Sequence, residues 1–416
     1  MDFKTVKNCR VCGSENLIKY LDLGNVPLCN ALLDSPSEAK TYPVEVLLCG
    51  ECSLSQLSIV VDPAILYEDY VYHSSVSNTF KKHCYDLAIN LKKEFSYKDY
   101  PLVVDIASND GCLLDQFKLA GFNRLMGVEP SENLIGGSFG DVGSYHDRGL
   151  ISVNSFWSER LAKDIFGNDS GTTQGASFII AQNVFGHVDD LNDFLKGVHH
   201  FLDNTGVFVM EVPYLFNLLK NNQFDTIYHE HLSYFLLKPL KRIFEANNLP
   251  IFRVEQTSIH GGSLRIYASR NCYQEEQSVL DMIHFEESEN LYDIKTYELF
   301  AERVKELKNK FLITLELLFH GEQKVMAYGA SAKGISLLNY SGISSKHIHS
   351  IVDDTPDKQG KFTPGSNIPI ISYPHFFKEE PKFIVLLAWN FANELIAKTK
   401  WHQGKYIIPI PDVVVV

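Results

Sequence analysis

The chain has 416 residues, enough for two or three domains, since a single core seldom grows past about 250 to 300 residues. Its 45% hydrophobic and 21% charged content is that of a globular protein, and no window approaches the roughly 20 apolar residues that span a bilayer, so no membrane partner is expected. A formal net charge of −13 argues against nucleic acid as a partner, because binding there needs lysines and arginines to displace counterions.

The first stretch, "MDFKTVKNCRVCGSEN", has no apolar signal core and points to a cytoplasmic protein. In a reducing compartment its eight cysteines are read for metal rather than for bridges. Cys9 and Cys12 ("CRVC") and Cys49 and Cys52 ("CGEC") form a C-x-x-C pair repeated after 36 residues, which suits one tetrahedral zinc held by four thiolates. The rival reading is two unrelated pairs or a redox dithiol, which normally occurs singly beside a βαβ unit. Four protein ligands leave no position for substrate, so the zinc is expected to be structural. Residues 1–75 thus read as a Cys-rich, loop-rich zinc-binding domain.

Residues 76–290 open with the helical stretch "TFKKHCYDLAINLKKEF". Buried-strand runs ("PLVVDIA", "RLMGVE", "SFIIAQNVF", "GVFVMEVP") then alternate with helical ones ("LLDQFKLAG", "LNDFLKGVHHFL", "LKPLKRIFEANN"). That pattern predicts an α/β Rossmann-type domain, a mostly parallel sheet with helices on both faces. In "VVDIASNDGC" a strand carrying Asp105 runs into a turn holding Ala107, Asn109 and Gly111, and Glu129 ends the next strand 24 residues after Asp105. An acid there reaches the ribose of an adenosine. Only one glycine stands where a dinucleotide site wants three, so S-adenosylmethionine is favoured over a nicotinamide or flavin cofactor; a structural turn is the alternative. Gln182, Asn183 and His187 follow another strand at its crevice end, although His187 reads equally well as a residue entering the helix capped by Asp189 and Asp190.

Residues 291–416 begin with a long amphipathic helix, "LYDIKTYELFAERVKELKNKFLITLELLFH", and repeat the strand and helix alternation in a second, smaller Rossmann-like unit. "YGASAKG" puts Gly329, Ser331, Lys333 and Gly334 where a strand enters a helix, a natural phosphate cradle or a plain turn. Asp353 ends the next strand, placed for a ribose or for a cap. Earlier, "SIHGGSLR" carries His260, Gly261 and Arg265, with glycines that admit a ligand or mark a bulge.

The segment "YHEH", residues 228–231, concentrates a tyrosine, two histidines and a glutamate. In a regular strand Tyr228 and Glu230 would face one side and His229 and His231 the other. A proton-transfer group of Tyr228, Glu230 and His231 therefore requires a turning backbone, whereas a regular strand would favour a His229 and His231 pair and make a metal conceivable.

Taken together, the cysteine pairs, "DIASNDG", "GVEP", "AQNVFGHVDDL", "FDTIYHEHLSYF", "HGGSLRIY", "YGASAKG" and "VDDTPDKQGKFTPGSNIPI" resemble the zinc-containing sugar C-methyltransferases of deoxysugar pathways, over nearly the whole chain. The resemblance implies S-adenosylmethionine and structural zinc as cofactors and a nucleotide-linked 4-keto-6-deoxysugar as substrate. It implies a reaction in which the carbon beside the ketone, carbon 3, is deprotonated and methylated. It assigns His231 as base, Glu230 and Tyr228 as its companions, His187 as a second histidine and Tyr72 as a substrate tyrosine. Gln182 stands where the family often has asparagine, and Ser331 where it often has proline. A sugar-nucleotide epimerase or dehydratase using the same base is the alternative function, a non-catalytic zinc protein a third, and the chain is expected to be a monomer.

Overall fold

The computed structural model describes residues 2–67, 73–95, 100–136, 143–166, 175–270 and 272–416. Tyr72 lies outside the described residues, and so does the side chain of His260. The N-terminal part is richer in strands than its sequence suggests. β1 (Phe3–Thr5) pairs antiparallel with β5 (Ile59–Val61), while β2 (Leu17–Pro27), β3 (Thr41–Cys49) and β4 (Ser55–Leu57) form an antiparallel sheet. β2 and β3 shift register at Lys19/Leu21 and again at Asp22/Asn25. Each shift breaks the in-and-out alternation that betrays a strand, which is why the segment reads as loop.

Among the described residues the central sheet has seven strands: β6 (Leu102–Ile106), β7 (Arg124–Val128), β8 (Ile151–Val153), β9 (Ala176–Gln182), β10 (Leu202–Pro213), β12 (Ile251–Thr257) and β13 (Ser263–Ala268), while β11 (Ser233–Tyr234) lies outside it. The order is β12-β13-β10-β9-β6-β7-β8. β8, β7, β6, β9 and β10 run parallel, whereas β13 is antiparallel to β10 and β12 to β13, so the sheet is mostly parallel with an antiparallel edge. Alternation sends Val103, Ile180 and Val209 to one face, against Leu87, Leu91, Leu114 and Phe117. Val104, Ile179 and Phe208 go to the other, against Phe194, Leu195 and Val198.

β11 instead pairs antiparallel with β4, completing a four-stranded sheet of order β11-β4-β3-β2. The C-terminal part holds β14 (Val325–Tyr328), β15 (Ile351–Val352), β16 (Ile370–Ile371), β17 (Phe383–Leu386), β18 (Lys405–Ile408) and β19 (Val414–Val415), in the order β16-β15-β14-β17-β18-β19. Its first five strands are parallel. The helix Ile294–His320 has 27 residues, about 40 Å at 1.5 Å per residue, and its Asp293 cap accepts from the Lys295 amide. Its buried stripe of Tyr297, Phe300, Val304, Leu307, Phe311 and Leu315 joins the same continuous core as Val44, Phe194 and Ile348, so one apolar body runs through all three parts. The carboxyl ends of the parallel strands open onto the seam where the parts meet.

Candidate active site

At the seam lies a cleft of about 620 Å³ lined from all three parts of the chain. The backbone at 228–231 turns: after a short 3-10 stretch, Phe224–Thr226, the His231 amide donates to the Tyr228 carbonyl at 2.9 Å, and the chain enters β11 two residues later. The turn frees the segment from strand alternation, and Tyr228, Glu230 and His231 all face the cleft. His229 points the other way, its Nε2 3.2 Å from the Tyr42 carbonyl oxygen, and burial lowers its pKa to about 4.

His231 Nδ1 is 2.6 Å from the Thr226 carbonyl oxygen. A carbonyl only accepts, so Nδ1 carries the proton and the basic lone pair sits on Nε2. The His231 ring is 4.1 Å from the Tyr228 ring and 4.8 Å, edge-on, from that of His187. His187 follows β9 in a 3-10 turn, and its Nδ1 lies 3.0 Å from the Tyr67 hydroxyl. Burial lowers the His187 pKa to about 4, which keeps the ring neutral near pH 7. Tyr67 was not singled out by the sequence, and its hydroxyl is pushed well above its usual pKa by burial and by Glu230. Glu230, a companion of the base by resemblance, would be expected to orient the imidazole. That orientation comes instead from Thr226, and the Glu230 carboxylate accepts a 2.6 Å bond from Asn30, 200 residues away.

A second wall is made by the strand ends of the central sheet. The loop after β6 curls through left-handed backbone at Ala107 (φ 57°), Asn109 (φ 54°) and Gly111 (φ 77°). Gly111 precedes the helix Cys112–Leu119, and a Cβ there would meet the Arg148 guanidinium at 3.0 Å. Glu129 lines the cleft and accepts from the Asn109 and Ser131 amides at 2.8 and 3.0 Å. A carboxylate has about four acceptor sites, so two remain for a ribose. Asp105 sits beneath, outside the lining, its pKa raised well above the usual range by burial and then by Glu129 and Asp110. Gln182 and Asn183 face the cleft with Nε2 of one and Oδ1 of the other buried and, among the described residues, without partners. Such orphaned groups are costly unless a ligand satisfies them. A donor, an acceptor and a carboxylate beside a turn with no glycine cradle fit S-adenosylmethionine, which carries no phosphate.

The third wall is the N-terminus of the helix Ala332–Ser341, where Ser331 Oγ accepts from the Gly334 amide at 3.1 Å. Lys333 lines the cleft, its pKa lowered by burial against the pull of Asp225. Asp225 is fully buried and accepts from Trp389 Nε1 at 2.6 Å. Asp353 lines the wall while bonding the amides of Ala330 and Thr355 at 2.8 and 2.9 Å, and Lys358 Nζ donates to the Ala330 carbonyl at 3.0 Å. Gly329 and Gly334 serve packing: a Cβ on either would meet Ala388 or Leu387 Cβ at 2.8 Å. Neither Gly261 nor Arg265 lines the cleft; Gly261 abuts the Gln223 side chain, and Arg265 donates to Glu211 Oε2 at 2.9 Å.

Away from the cleft, Cys9 and Cys52 are 3.5 Å apart at sulfur, as are Cys12 and Cys49, and all four sulfurs lie within 4.8 Å of one another. Zinc to sulfur bonds of about 2.3 Å set tetrahedral edges near ~3.8 Å, so the four thiolates fit a closed structural zinc.

Three family models cover most of the chain: a zinc binding domain over residues 9–67, a methyltransferase domain over 85–254 and a C-methyltransferase C-terminal domain over 258–411. The C-methyltransferase NovU of Streptomyces niveus is 33% identical, across 98% of this chain and 96% of that protein. This chain belongs to the C-methyltransferase family. As a member it is an enzyme that uses S-adenosylmethionine and carries structural zinc. Among solved structures, magnesium protoporphyrin IX methyltransferase of Synechocystis PCC 6803, with bound SAH, aligns over 46% of this C-methyltransferase and 83% of its own chain, at 15% identity and a TM-score of 0.32. An S-adenosylmethionine-dependent methyltransferase from Clostridium acetobutylicum aligns over 47% and 93%, at 10% identity and a TM-score of 0.34.

Proposed function

We propose that this C-methyltransferase acts on a nucleotide-linked 4-keto-6-deoxysugar, methylating carbon 3 beside the ketone through an enolate. The observation that carries this reading is the placement of His231. Its Nδ1 is held by the Thr226 carbonyl, so its basic Nε2 belongs to a cleft with orphaned Gln182 and Asn183 on one wall and Ser331 and Lys333 on another.

In this reading His231 Nε2 takes the proton from carbon 3, and the resulting imidazolium leans on the Thr226 carbonyl. Tyr228, its ring tilted against that imidazole at 4.1 Å, donates toward the developing enolate oxygen. His187 stays neutral and so adds no like charge beside the protonated base. Glu230, steadied by Asn30, offers a carboxylate in the same cleft. S-adenosylmethionine, when bound, supplies the electrophilic methyl group. Gln182, Asn183 and Glu129 meet its polar atoms, while Lys333 and the helix start at Ala332 meet the substrate diphosphate. By family resemblance Tyr72 is assigned to the substrate, and the stretch "SIHGGSLR" adds His260.

The test is incubation with radiolabelled S-adenosylmethionine and a panel of nucleotide-linked keto sugars, with the product located by mass. Label at carbon 3 of a 4-keto sugar is expected. Deuterium entering the sugar from solvent with no methyl gained by any substrate would mark an epimerase instead and sink the reading.

We also read the chain as three units, 1–75, 76–290 and 291–416, working as a cytoplasmic monomer without nucleic acid. The net charge of −13 supports the last point, and among the described residues no helix is long and apolar enough to cross a membrane. Light scattering tests the monomer, and a dimer mass would overturn it.

A further inference from the structure

Arg10 stands inside the first cysteine pair, between Cys9 and Cys12, and its guanidinium is buried, with its side chain 3% exposed. Its Nη1 donates to the Leu232 carbonyl at 3.1 Å and to the Leu57 carbonyl at 3.2 Å, and its Nε donates to Asp189 Oδ1 at 3.2 Å. Leu232 is the residue after His231, and Asp189 is two residues beyond His187. The two histidine loops are also tied directly, since the Leu232 amide donates to the carbonyl of Gly186, the residue before His187, at 2.7 Å. The Leu57 amide closes the arrangement by donating to the Leu232 carbonyl at 2.9 Å, and the Arg10 amide is fixed by Gln56 Oε1 at 3.0 Å. One rigid guanidinium fork therefore grips both loops from the zinc knuckle.

We propose that Arg10 is a positioning residue that sets the separation of the His187 and His231 rings, so that the zinc knuckle holds the base and its neutral neighbour in register. This rests on the reading of His231 as base. Rings 4.8 Å apart are displaced by loop movements well below the length of a side chain, and misplacement by about 1 Å can cost on the order of 100-fold in rate. Asp189 alone would fix only the His187 loop, and the β4 to β11 pairing only the His231 loop; Arg10 joins the two through one side chain on the zinc side, as the Tyr67 hydroxyl does on the cleft side, between His187 Nδ1 and the Glu230 carbonyl.

The experiment compares wild type, Arg10→Met and His231→Asn, each as full-length zinc-loaded protein. Metal content, S-adenosylmethionine affinity, kcat and KM for the sugar, and imidazole nitrogen NMR are measured. Arg10→Met is expected to keep one zinc and its cofactor affinity, to lose kcat by about 10- to 100-fold with KM changed less than about threefold, and to lose the fixed Nδ1–H tautomer of His231. A kcat within about twofold of wild type and an unaltered His231 tautomer would overturn the proposal. If Arg10→Met fails to fold, Asp189→Asn is the deciding variant: a kcat loss with an altered tautomer supports the role, and unchanged values for both overturn it. Turnover retained by His231→Asn would instead remove the base assignment, while the tautomer signal still judges Arg10.

Discussion

At the scale of single residues, the site depends on contacts that run across the sequence. His231 is oriented by Thr226, five residues back, whereas Glu230 meets Asn30 and His187 meets Tyr67. The local partner follows from a turn that "YHEH" by itself leaves undecided, and the distant ones carry no spacing signal at all. What the sequence did offer was the condition: three side chains on one side require a bent backbone, and the bend is present. His231→Asn should lower kcat by at least about a thousandfold while S-adenosylmethionine affinity, measured by calorimetry, stays within twofold. The two depressed histidines make a pH prediction. His187 and His229, with folded pKa values of about 4 against about 6.5 unfolded, stay neutral while the unfolded chain takes up protons, so their stabilisation is present above about pH 6.5 and lost as pH falls toward 4. His229→Gln can keep the bond to Tyr42 and removes one titration, so its melting temperature should fall less steeply than wild type across that interval. Identical slopes would show that His229 carries none of the effect.

At the scale of elements, buried parallel strands and amphipathic helices were legible because each carries a repeating apolar signal. Helix 78–94 and strands β6, β7, β9 and β10 lie where their patterns put them. β2 was hidden by its register shifts, and β12 with β13 flank glycines at 261 and 262, which read as room for a ligand or as a bend and turn the chain between antiparallel strands. The zinc knuckle illustrates how one element supports another: β4 begins three residues after Cys52 and pairs with β11, which begins two residues after His231. Removing zinc with a chelator, or replacing Cys49 with Ser, should lower the melting temperature and abolish methyl transfer together. Full activity in a protein shown to be metal-free would contradict this. The start of the helix Ala332–Ser341 is a separate matter. Lys333→Met should raise KM for the nucleotide sugar about 10- to 100-fold with cofactor affinity unchanged, and an unaltered KM would place the diphosphate elsewhere.

At the scale of the whole molecule, three units were readable from composition and motif, whereas their convergence on one substrate was legible only through the family resemblance. Convergence is set by long-range packing, above all by the helix Ile294–His320, whose Tyr297 ring lies 5.0 Å from Tyr20 of the N-terminal sheet. Because one apolar core threads all three parts, heat should unfold the zinc-loaded protein in a single calorimetric transition. Saturation with S-adenosylmethionine at about 100 times its dissociation constant should raise stability by roughly 2.7 kcal/mol and shift that transition as a whole. Two separated transitions would mean that the shared core does not couple the units.

The segment 227–232 is anchored at both ends by other parts of the chain: Ser336 Oγ of the C-terminal part donates to the Ile227 carbonyl, and Arg10 and Leu57 of the N-terminal part hold the Leu232 carbonyl. The methyltransferase unit owns these residues by sequence but does not own their shape. Cut free as a fragment, it would keep the strand ends of the central sheet and lose the bracket that curves "YHEH". The smallest piece of this chain able to carry out the reaction is therefore close to the whole of it, and shuffling donor domains between relatives would have to carry both flanking units along.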